Sequence, residues 1–103
     1  MLAVNKDRVN DLLMSLGEFG KTDQGVTRLA YSDEDRDAQN WLLEKVADLK
    51  LQVREDAVGN VFLRRMGEDD SLPAVATGSH LDTVIHGGIY DGMCGVVGAL
   101  EAL

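Results

Sequence analysis

A chain of 103 residues with 45% hydrophobic and 27% charged side chains is long enough to bury one core, too short for two, and too apolar to stay disordered. Ten Lys and Arg stand against 18 Asp and Glu, a formal net charge of -8, so no cationic surplus exists to neutralise nucleic-acid phosphates or an anionic membrane. The single cysteine, Cys94, excludes an internal disulfide and a cysteine-based zinc site and fits a reducing cytoplasm.

Lys6, Asp7, Arg8 and Asp11 interrupt the start of the chain before any apolar run of signal-peptide length, and nowhere do the roughly 18 consecutive apolar residues of a bilayer span occur. A soluble cytoplasmic protein without an export signal is expected. Val9, Leu12, Leu13 and Leu16 recur at i, i+3, i+4 and i+7, with Asn5 placed to cap and Gly17 to stop; the spacing predicts a helix over 6–16. From Gly17 to Tyr31 three glycines lie among polar residues with neither period, which reads as a loop long enough to suggest a function.

Ser32 before Asp33, Glu34 and Asp35 is a helix start, because a hydroxyl there accepts a free backbone N–H and acidic groups face the positive end of the helix dipole. The same cluster lacks the spaced ligands and glycine of a calcium loop. Ala38, Trp41, Leu42, Val46 and Leu49 extend one apolar face to about Leu49, so Trp41 and Leu42 read as core. Leu51, Val53 and Glu55 alternate with polar neighbours, Gly59-Asn60 offers a turn, and Val61-Phe62-Leu63 resumes, the pattern of a hairpin.

Gly67 to Pro73 reads as a charged turn, and Ala74-Val-Ala-Thr-Gly as a short buried strand ending near His80. Met93, Val96, Val97, Leu100 and Leu103 predict a last helix, with Gly95 and Gly98 permitting close packing on a sheet and an apolar Val97–Leu100 face left to be covered. No closing signal follows Leu103, so the fold is expected to continue.

The chemistry concentrates between Thr77 and Val96, where a strand passes through a glycine-containing loop into a helix. In open α/β sheets ligands bind at such strand ends. A neutral His80 nitrogen and the Asp91 carboxylate suit a borderline divalent metal, and Asp82, two residues from His80, points to the same side of an extended chain and is placed to hold the other imidazole nitrogen. On spacing alone, a His and two Asp in a loop equally describe capping and turn residues. A Ser79–His80–Asp82 triad fails because strand neighbours face opposite ways. Cys94, among Gly and Val, reads as a small buried residue rather than a nucleophile. Gly92, Gly95 and Gly98 match neither the dinucleotide fingerprint nor a phosphate loop. His86 reads as a loop residue.

The run Gly78-Ser-His-Leu-Asp-Thr-Val, the glycines at 87 and 88, and Tyr90-Asp-Gly followed by Gly-Val and Ala-Leu-Glu closely resemble the dinuclear-metal amidohydrolases of the zinc aminopeptidase-like superfamily. Within it the likeness is to the carbamoylase branch, which includes allantoate amidohydrolase, N-carbamoyl-L-amino-acid amidohydrolase and beta-ureidopropionase. Thr27-Arg-Leu-Ala-Tyr-Ser and Asp56-Ala-Val-Gly-Asn resemble upstream segments of that branch, so the likeness covers nearly the whole chain.

The resemblance implies an α/β fold with helices packed on a mixed sheet. Residues 1–103 would be the N-terminal portion of the catalytic metallohydrolase domain, with the rest of that domain and a dimerisation or lid domain outside them. It implies two divalent metal ions in the full-length enzyme (zinc, manganese or cobalt), His80 as a terminal ligand, Asp91 as the bridging carboxylate and Asp82 as the residue that orients His80. The activity implied is cleavage of a C–N bond in a carbamoyl or ureido substrate by a homodimeric parent. The family's paired Glu and two downstream His have no counterpart here, so these residues alone are expected to be inactive. The other reading is a non-catalytic truncated product or an interaction fragment needing another chain.

Overall fold

The computed structural model describes residues 3–103. Helix α1 runs over Lys6–Leu16, capped by the Asn5 side chain accepting from the Arg8 N–H at 3.0 Å. Gly17 ends it in a right-handed conformation, with its N–H still bonded to the Leu13 carbonyl. The following segment departs from the expected plain loop. Lys21–Thr22 (β1) and Gly25–Val26 (β2) pair as a short antiparallel ribbon, extended by Val26, which exchanges two 2.8 Å hydrogen bonds with Gly87. Two-residue strands leave no periodicity to read, and the Gly87 partner is 61 positions away in the chain.

Helix α2 covers Asp33–Lys45, started by Ser32 accepting from the Asp35 N–H, while the Asp35 carboxylate accepts from Tyr31 N–H. The helix stops before Leu49. A 3₁₀ turn at Ala47–Leu49 follows, and Lys50 closes it in the left-handed region, leaving Leu49 exposed. Strands β3 (Gln52–Glu55) and β4 (Val61–Arg64) form the expected hairpin. Its turn is organised by Asp56, whose carboxylate accepts from the Val58 and Asn60 N–H groups and from the Asn60 side chain. These bonds, that of the Asn60 side chain first, hold the Asp56 carboxyl below its ordinary value.

Helix α3 spans Met93–Ala102. The core is where the three helices meet: Leu13 and Leu16 of α1, Ala38 and Leu42 of α2, Met93 and Val97 of α3. Trp41 packs against it, with Phe19 at 5.8 Å between ring centroids. The fold is therefore α/β, with helices forming the core and two small antiparallel sheets beside it.

Three burial expectations change. Ala74–Gly78 forms no strand and is exposed, because no described strand lies beside it to complete its hydrogen bonds. Val97 is fully buried against α1, so the uncovered side of α3 is the one bearing Cys94, Gly95, Gly98 and Ala102. Cys94 is consequently exposed, not buried. Gly95 does make a close approach, since a Cβ there would meet Ser79 at 2.5 Å, whereas nothing lies within 4 Å of a Cβ at Gly98.

Candidate functional site

The His80 loop is fixed from both ends. Thr83 is buried, its N–H donates to the Arg28 carbonyl at 2.7 Å, and its hydroxyl accepts from the Arg28 N–H at 2.9 Å. At the other end Gly92 has φ +78 and leads into α3. A methyl at Gly92 would lie against the His80 carbonyl, 2.6 Å from its Cε1 and 2.7 Å from its Nδ1. Only glycine supplies both this dihedral and this clearance, and together they bring residue 91 alongside residue 80.

The ring of His80 lies between two carboxylates. Its Nε2 is 3.6 Å from Asp91 Oδ1, and its Nδ1 is 3.5 Å from Asp82 Oδ1. Both distances exceed a hydrogen bond. The hydrogen bond is instead with the Asp82 main chain: Nδ1 lies 2.9 Å from the Asp82 carbonyl oxygen. A carbonyl only accepts, so Nδ1 carries the hydrogen, and in the neutral ring the lone pair is then on Nε2, the nitrogen on the side of Asp91. The structure thus brings His80, Asp82 and Asp91 together, and assigns the ring contact at Asp82 to its backbone.

Two ligand atoms held about 2.0–2.2 Å from one tetrahedral ion stand roughly 3.4 Å apart, so the 3.6 Å between Nε2 and the Asp91 carboxylate suits two donors to a common cation. The donor types suit zinc, manganese or cobalt. A third donor is not at hand: among the described residues no group of three or more His, Cys, Asp or Glu is placed to hold a metal ion, and the Asp82 carboxylate stands on the Nδ1 side of the ring, away from Nε2. Asp91 is 83% exposed and His80 52%, so this face of the pair is open to solvent. His86 is a loop residue with φ +54, and its Nδ1 lies 3.5 Å from the Thr22 hydroxyl rather than in the His80 cluster. A groove lined by Asn5, Asp11, Leu12, Trp41 and Lys45 shares no residue with the cluster.

Sequence reasoning missed Arg28. It is fully buried and donates from Nε to the Leu81 carbonyl, from Nη1 to the Leu16 and Phe19 carbonyls, and from Nη2 to the Met93 sulfur. Burial pushes its pKa below the ordinary value, opposed by the charges of Asp35 and Asp82. The one local signal was a lone cation inside Val26-Thr-Arg-Leu-Ala. The two upstream segments also meet, through the Tyr31 hydroxyl donating to the Val58 carbonyl at 2.8 Å.

Comparison with known proteins makes the likeness carried by the fold and the motif specific. The chain is 46% identical to an N-carbamoyl-L-amino-acid amidohydrolase of Paenarthrobacter aurescens, over 93% of its own length and 23% of the relative's. To the allantoate amidohydrolase of Bacillus subtilis it is 43% identical, over 95% of the chain and 24% of the relative. It superposes on a hydantoinase/carbamoylase family amidase from Burkholderia ambifaria with a TM-score of 0.92 at 40% identity, covering 97% of this chain and 25% of that one. No protein-family model matches. The chain is a homologue of the hydantoinase/carbamoylase amidohydrolases, enzymes acting on C–N bonds, and spans about a quarter of the length of the relatives it matches.

Proposed function

We propose that this chain supplies His80 and Asp91 as ligands to a divalent-metal centre that hydrolyses a C–N bond of an N-carbamoyl-L-amino acid, allantoate or a related ureido acid. The observation carrying this reading is the geometry at His80. Nδ1–H is committed to the Asp82 carbonyl, and Nε2 stands 3.6 Å from a solvent-facing Asp91 carboxylate. When bound there, a divalent cation polarises the scissile carbonyl and activates water for attack. The chain's own part is to hold the imidazole in one tautomer and to place the Asp91 carboxylate beside it. The relatives' substrates, both with a carbonyl carbon bonded to nitrogen, supply the substrate class.

Two donors do not complete a catalytic centre, which takes at least three protein ligands for a zinc ion, and among the described residues the Asp82 carboxylate, the nearest other one to the ring, stands on its Nδ1 side. Glu101, the carboxylate on α3, is engaged at the opposite end of the helix by Arg8 and the Asn5 N–H at 2.7 Å each. The 103-residue chain loaded with zinc or manganese should therefore bind weakly and show no turnover. Grafted in place of the homologous quarter of the Paenarthrobacter aurescens amidohydrolase, it should restore hydrolysis that His80→Ala or a chelator abolishes. Restored activity surviving thorough metal removal, or indifferent to His80→Ala, overturns the reading.

A further inference from the structure

The buried guanidinium of Arg28 touches three parts of the molecule that are far apart in sequence. Two of its acceptors, the Leu16 and Phe19 carbonyls at 2.7 and 2.8 Å, are at and beyond the end of α1. The others belong to the His80 site. Leu81, whose carbonyl accepts from Nε at 2.8 Å, lies between His80 and Asp82, and Met93, whose sulfur accepts from Nη2 at 2.9 Å, is two residues past Asp91. The Arg28 main chain adds two bonds to Thr83. A buried cation is tolerated only where its donors are satisfied. An apolar residue would fill the volume without orienting the carbonyls, and Lys would replace a planar fork by a single point of charge.

We propose that Arg28 is a positioning residue for the His80–Asp91 pair, clamping Leu81 and Met93 against the end of α1 so that the Asp82 carbonyl meets His80 Nδ1 and Nε2 faces Asp91. The value of the pair to a metal rests on the reading under Proposed function; the clamp itself is measured without metal. A fold-only role would be that of a C-terminal cap on α1, which accounts for Leu16 and Phe19 and leaves Leu81 and Met93 incidental.

The test compares the 103-residue chain with Arg28→Lys and with Glu101→Gln, a control that weakens the α1–α3 contact away from the site. Thermal unfolding by circular dichroism reports the fold. Long-range ¹H–¹⁵N spectra at about pH 8 report which His80 nitrogen carries the proton, and titration with Co²⁺, followed by its visible absorption, reports affinity. Both variants should lower Tm, but Arg28→Lys alone should shift His80 from Nδ1–H to a tautomer mixture and weaken Co²⁺ binding by roughly 10- to 100-fold. An Arg28→Lys chain that keeps the Nδ1–H tautomer and the wild-type Co²⁺ affinity while losing stability overturns the proposal. If Arg28→Lys does not fold, Met93→Leu, which removes the sulfur acceptor and keeps the volume, should weaken Co²⁺ binding with little change in Tm, and unchanged binding overturns it. A wild-type chain that takes up no Co²⁺ removes the metal reading, while the tautomer comparison still decides the clamp.

Discussion

Replacing Gly92 by alanine should damage the site more than the fold. At φ +78 and ψ -51, the strained γ-turn region, an L side chain costs on the order of 1–3 kcal/mol, and the added methyl would lie against the His80 carbonyl, 2.6 Å from Cε1 and 2.7 Å from Nδ1. The ring must retreat by about 0.7 Å to reach ordinary contact. It cannot do so without leaving the Asp82 carbonyl or Asp91, since it is placed by distances of 2.9 and 3.6 Å to these two. Gly98→Ala in the same helix is the matched control: with nothing within 4 Å, exchange to a better helix former should stabilise by about 1 kcal/mol. Urea unfolding should place Gly92→Ala about 1–3 kcal/mol below the parent and Gly98→Ala above it. Co²⁺ titration should show binding lost in the first and kept in the second. Equal Co²⁺ affinity in Gly92→Ala and the parent would refute the argument that this glycine exists to admit the imidazole.

The core should behave as one unit: Leu16→Ala, at a fully buried position, should cost about 2–5 kcal/mol in urea unfolding, and a loss below about 1 kcal/mol would mean the three helices do not share a core. Arg8 and then the Asn5 N–H hold the Glu101 carboxyl down from 4.5 to about 2. Because the folded value lies below the unfolded one, its contribution is complete above about pH 4.5 and lost as the pH falls toward 2. The urea midpoint should therefore drop across that window in the parent and less so in Glu101→Gln, and identical profiles would remove Glu101 as the source. Asp82→Asn leaves the accepting carbonyl in place, so His80 should keep its Nδ1–H tautomer and Co²⁺ affinity should fall by about tenfold, the low end for residues behind a ligand; loss of the tautomer would restore the orienting role to the carboxylate.

The helices were legible in the sequence because each is specified locally. The i, i+3, i+4, i+7 spacing and Asn5 mark α1, and Ser32 with its acidic followers marks α2. The β3–β4 hairpin was legible for the same reason, both strands lying within one short stretch of chain. His80 and Asp91 were marked by a glycine-containing strand-to-helix loop and by the family resemblance of the run around them, and the structure sets the two side chains 3.6 Å apart. Tertiary structure alone decided which group at residue 82 holds the imidazole, since carboxylate and carbonyl sit on the same residue and only their distances of 3.5 and 2.9 Å tell them apart. It also decided that Arg28 is buried, because a cation enters a core only where acceptors converge, and those it found lie as far as 65 residues away. Burial of a strand likewise depends on its neighbours. Ala74–Gly78 carries the composition of an interior strand and lies exposed, because pairing is a property of what stands beside a segment and not of its own side chains.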